Sequence, residues 1–136
     1  MIFLFVVALL ALPACEDRSY REIGAAIDVL KNGEFPGLAR ERLRKIGRRA
    51  VPQIETALHT AAPNGKVNLI SALAAIGEPE SIAILQHFAV YDKSPEVRAA
   101  CEELLAKWAA GADGKSQPAR QAIARVQEKR KLGLAE

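Results

Sequence analysis

The chain has 136 residues, and its nineteen Lys and Arg against sixteen Asp and Glu leave a formal charge of +3. That length holds one domain, and so mild an excess of base excludes the strongly basic profile of a dedicated nucleic-acid binder. Half of the residues are apolar but only 5% are aromatic, so a core must be built from Ala, Leu, Ile and Val; with no alternating Val/Thr/Tyr run anywhere, the chain reads as all-α.

Residues 2–12 (IFLFVVALLAL) are wholly apolar. A spanning helix needs roughly 20 such residues, whereas this run has the length of a signal-peptide hydrophobic region. It ends in Leu12-Pro13-Ala14-Cys15, and Glu16, Asp17 and Arg18 follow at once. The four residues resemble the lipobox of bacterial lipoproteins, in which a small residue precedes a Cys that is acylated and becomes the mature N-terminus. Pro13 and the lack of a basic residue ahead of the apolar run depart from that pattern. The resemblance implies a signal peptide over 1–15 with lipidation at Cys15; a short tether over 16–18 then leads to the helical pattern that places a folded domain over 19–133.

Ser19 or Asp17 can cap the first helix of that domain, which carries Tyr20, Ile23, Ile27 and Leu30 at helical spacing and stops at Lys31-Asn32-Gly33. A second helix is expected over 38–46, with Ala39, Leu43 and Ile46 inward and Gly47 as its C-terminal stop. Pro52 sits in the first turn of a third helix with Val51, Ile54 and Leu58 inside. After the break at Ala61-Ala62-Pro63-Asn64-Gly65, a fourth carries Val67, Ile70, Leu73 and Ile76 to Gly77. Pro79 restarts the chain for a fifth, with Ile84, Leu85 and Phe88 inward. Ser94 is the expected N-cap of a sixth, with Pro95 at its first position, Glu96 on the positive end of the dipole, and Val97, Cys101, Leu104 and Trp108 as its stripe. Gln117-Pro118 opens a last helix with Ala119, Ile123 and Val126 inside and a charged outer side, as a terminal unit requires.

These elements repeat. Leu43-x-x-Ile46-Gly47 returns thirty residues later as Leu73-x-x-Ile76-Gly77, Ile54 as Ile84, Leu58 as Phe88, and Val67 as Val97. A fixed period of this length marks stacked helical units, none of which buries its apolar face alone. With Ala50-Val51-Pro52 after Gly47, Pro79 after Gly77, and Asp92 before Pro95-Glu96-Val97-Arg98, the chain resembles HEAT-like repeats in their short bacterial form, also found near phycobilin lyases. The resemblance covers residues 36–108 and implies a short α-solenoid of about six helices that binds partners. It also implies that Asp92 and Arg98 form a hydrogen-bond ladder between repeats, reduced here to one rung because Ala62 and Asn68, then Asn32 and Leu38, hold the equivalent places.

Arg40, Arg42, Arg44, Lys45, Arg48 and Arg49 crowd one helix, opposed by Glu41 alone. Arg40, Arg44, Arg48 and Lys45 are the candidates for an anion- or partner-binding surface, set against a merely solvated outer face. A tether of a few residues from an acylated Cys15 would keep this helix near anionic head groups. His59 and His87 have no ligand neighbour at metal-binding spacing and read as surface residues, while Cys101 in mid-stripe reads as a buried, inert thiol. No nucleophile elbow, phosphate loop or metal cluster is visible. The expectation is a non-enzymatic interaction or scaffolding module, without cofactor or metal, exported and membrane-anchored, with an unknown protein partner, an anionic membrane surface as a second, and no nucleic acid. The alternative is an accessory factor related to phycobilin lyases, and a more distant one is a HEAT-like protein that grips DNA.

Overall fold

The computed structural model describes residues 18–133. The expected signal peptide, Cys15, Glu16 and the Asp17 capping option lie outside them. Within them the chain is helical throughout, with no strand: α1 over 18–32, α2 (Pro36–Ile46), a 3₁₀ turn (Gly47–Ala50), α3 (Val51–Thr60), α4 (Pro63–Ile76), α5 (Ser81–Tyr91), α6 (Pro95–Ala110) and α7 (Ser116–Lys131). Short links make successive helices antiparallel neighbours. Side by side, α2, α4 and α6 form one layer, α5 packs against α7 across from them, and α3 leans on α4. This is a short all-α solenoid.

The core is the aliphatic one that composition requires. Leu30, Leu43, Ile54, Leu58, Leu69, Leu73, Leu85, Val97 and Leu105 are among the fully enclosed large side chains. Echoed positions hold equivalent places: Leu43 with Leu73, and Ile54 with Ile84, are buried members of one cluster. Proline stands in the first turn of α2, α3, α4 and α6, where a missing N–H costs nothing. Gly77 ends α4 in the left-handed region and donates its N–H to the Leu73 carbonyl at 2.9 Å. At Gly65 a side chain would press on the backbone of Lys31, 3.1 Å away, so α1 ends directly on the start of α4. Asn68 Nδ2 reinforces that seam by donating to the Leu30 carbonyl at 3.0 Å.

The structure corrects several expectations. Tyr20 is 63% exposed and does not belong to the buried stripe of α1, whose inner face is Ile23, Ala26, Ile27 and Leu30. Helical spacing alone puts Tyr20, three residues before Ile23, on that same face, so its exposure in the first turn of α1 is a property of the packing and not of the period. α2 starts at Pro36, two residues earlier than expected, because Phe35 turns the chain in a left-handed conformation. α5 starts at Ser81, which leaves Pro79 in the preceding turn. Ser94 is the N-cap residue of α6, but its hydroxyl makes no cap bond; it donates to Glu96 Oε2 at 2.6 Å and lowers that carboxyl from its ordinary pKa. Among the described residues no helix is long and apolar enough to cross a membrane.

Candidate functional site

The basic helix is built by a simple constraint. Ala39 and Leu43 are its two buried residues, so helical geometry turns Arg40, Arg42, Arg44 and Lys45 outward. They are not equivalent there. Arg44 grips Glu41 with two hydrogen bonds, Nε to Oε2 at 2.8 Å and Nη2 to Oε1 at 2.7 Å. These bonds hold the Glu41 carboxyl below, and the Arg44 guanidinium above, their ordinary values. Arg48 pairs with Glu80 at the start of α5. Arg49 donates from Nη2 to Ser19 Oγ at 2.6 Å, which ties α1 to the 3₁₀ turn. Arg40, Arg42 and Lys45 form no ion pair with any described residue. Of the four candidates, then, Arg44 and Arg48 are engaged within the fold, while Arg40 and Lys45, joined by Arg42, remain presented.

Beside them runs a feature that sequence reasoning missed. Between α1 and α2 lies an open groove of about 520 Å³ whose lining joins apolar residues, among them Val29, Phe35, Leu38 and Ala39, to the charged Glu41, Arg42 and Lys45. A basic recess lined by Arg18, Arg21, Glu22, Ala25 and Arg42 continues it. Phe35 is 79% and Leu38 76% exposed. Phe35 is also the one non-glycine described residue with positive φ, at 44°. The charge distribution singles out the same region: residues 18–49 hold nine Lys and Arg against four Asp and Glu, whereas residues 50–136 hold ten of each. The signal was present in the sequence as Phe35 and Leu38 flanking a turn, but Leu38 reads as a helix start and Phe35 as part of a turn.

Asp92 and Arg98 meet, though not carboxylate to guanidinium. Arg98 Nη1 donates to the Asp92 main-chain carbonyl at 2.7 Å and to that of Lys93 at 3.2 Å, fastening the turn before α6. The Asp92 carboxylate faces the other way: Oδ1 accepts the Ser94 N–H at 2.9 Å, and Oδ2 accepts from Lys66 Nζ, on α4, at 2.5 Å. The bond between repeat units is therefore Lys66–Asp92, and Arg98 acts within one turn.

The two histidines are neighbours. His59, in the last turn of α3, and His87, on α5, have ring centroids 6.0 Å apart, with the Phe88 ring about 5 Å from both and Tyr91 5.1 Å from His87. With Lys66, Asp92 and Lys93 they line a recess of about 330 Å³. Lys129 reaches it from α7, donating to the Tyr91 hydroxyl at 2.9 Å. Their 28-residue separation, close to the repeat period, is the signal that would have joined them. Among the described residues no group of three His, Cys, Asp or Glu side chains could hold a metal ion. Cys101 is enclosed in α6, and burial, with the charges of Asp92 and Glu102 adding to it, pushes its thiol up to about 12.

One family model, that of HEAT repeats, matches residues 11–106. No significant match is found among curated proteins or among solved structures.

Proposed function

The chain belongs to the HEAT-repeat family, and from that membership we propose that it is a non-enzymatic binding module of the bacterial cell envelope, anchored by lipid at Cys15 and holding a protein partner at the membrane surface. Stacked helical repeats generate extended surfaces for partners. The carrying observation is the placement of charge. Nearly all the positive excess of the described fold lies on α1, α2 and the 3₁₀ turn, the end nearest Cys15 in the chain. A lipid on Cys15 and a basic surface beside it are the two signals that together make stable membrane attachment. Arg40, Arg42 and Lys45 are the residues left to face anionic groups. The ring-lined recess of His59, His87, Phe88 and Tyr91 shares no residue with the basic groove, and its aromatic surface suits a protein partner.

The test is acylation. Cells expressing the protein should incorporate labelled palmitate, and Cys15→Ser should abolish the label and release the protein from the membrane fraction. Label in the Ser variant, or none in the wild type, refutes the anchored reading.

A further inference from the structure

Among the described residues there are six large apolar side chains with high exposure, and four of them, Tyr20, Val29, Phe35 and Leu38, lie on α1 or around the α1–α2 turn. α2 runs antiparallel to α1. Arg42 therefore lies beside Arg18 at one end of the groove, and Phe35 and Leu38 stand at the other. Val29, Phe35 and Leu38 thus gather near the C-terminus of α1, while Tyr20 stands with the basic residues at its N-terminus, so the groove is basic at one end and apolar at the other. Fifteen helical residues separate the two ends by about 22 Å.

The position of the tether decides what can lie against this surface. Three residues from Cys15 to Arg18 reach at most about 11 Å. A lipid on Cys15 holds the basic end among the head groups. Laying α1 flat then brings the apolar end down on the same plane, the posture of a helix buried on one side in a membrane interface. The geometry points to an anionic phospholipid bilayer as the occupant of the α1–α2 surface, with phosphates on Arg18, Arg42 and Lys45 and the side chains of Phe35 and Leu38 below the head groups. This rests on the anchored reading above and adds an orientation: the domain lies on the membrane by its N-terminal end, and the later repeats extend away from it.

The experiment uses the lipid-anchored full chain bearing Phe35→Trp. The single native Trp108 is buried and supplies a constant background that the wild-type chain measures. The protein is reconstituted with vesicles of equimolar phosphatidylglycerol and phosphatidylcholine that carry bromine on the acyl chains. The introduced indole should shift its emission to the blue and lose most of its fluorescence to the bromine. On phosphatidylcholine alone, or with Arg42→Glu and Lys45→Glu added, quenching should fall severalfold. A chain that floats with the vesicles but keeps this indole unquenched overturns the orientation and leaves the anchor standing. A chain that does not float overturns the anchored reading itself. An indole shielded by a co-purifying protein rather than by lipid assigns the surface to that protein and also refutes the bilayer.

Discussion

Lys66 on α4 and Asp92 in the turn before α6 join two repeat units through a 2.5 Å contact, with the carboxylate side chain 3% and the ammonium side chain 16% exposed. The Lys66 ammonium also lies 5.7 Å from the centre of the Phe88 ring. Removing one partner of such an enclosed pair strands the other charge. Lys66→Met should therefore cost about 3 kcal/mol. Arg44→Met, which breaks the solvent-screened pair with Glu41, should leave stability close to wild type. Urea unfolding of the two single variants checks the contrast, and Lys66→Met with Asp92→Asn together should recover part of the loss.

The thirty-residue echo implies equal weight at equivalent places. Leu43 and Leu73 are both fully buried in the same cluster. Truncating either to Ala should leave a cavity and cost about 2–5 kcal/mol, with the two values within about 1 kcal/mol of each other if relaxation is similar. Leu104→Ala, in the stripe of α6, falls in the same range. Thermal or denaturant melts report all three, and a wild-type melt for Leu73→Ala would contradict the packing.

That echo explains how much of the fold was legible beforehand. Positions that recur in step, such as Leu43, Ile54, Leu73 and Ile84, owe their burial to helical period and stacking, both of which are local patterns. Phe35 and Leu38 stand where the later units hold Gly65 and Pro95, and Asn68 and Arg98, so the echo does not foretell an apolar side chain at either place, and both are exposed, as is Tyr20. The Lys66–Asp92 contact was hidden because the two residues share no motif and meet only when the units stack. The basic surface was legible as composition, but which arginines are engaged was not. Glu41 is visible one turn from Arg44, whereas Glu80, the partner of Arg48, is thirty-two residues away.

Cys101 gives a prediction with a definite sign. Its thiol pKa rises from 9.0 to about 12 on folding, chiefly through loss of water. The folded chain therefore holds its proton more tightly than the unfolded chain. This contribution to stability is complete below pH 9 and declines as the pH climbs toward 12, where the unfolded chain gains by ionising. Between those limits, wild type should lose stability more steeply than Cys101→Ala, which lacks the titrating group. At a pH of about 8 the folded protein should leave Cys101 unmodified by iodoacetamide, and urea should expose it; intact mass reads the difference.

Phe35→Gly separates stability from membrane contact. Phe35 holds φ 44° and ψ 50°, a left-handed conformation that costs an L-residue about 1–2 kcal/mol and glycine almost nothing. Its ring is largely in solvent, so little burial is lost with it. Against the relief of strain stands the extra freedom of glycine in the unfolded chain, about 0.5–1 kcal/mol. The two leave Phe35→Gly equal to wild type or more stable by up to about 1.5 kcal/mol. A drop of more than about 1 kcal/mol in a urea melt would mean that the ring packs on Val29 and Leu38 and belongs to the fold. Equal or greater stability, together with weaker seating of Leu38→Trp in brominated anionic vesicles, would mean that a strained residue is kept at this turn for what its side chain meets outside the protein.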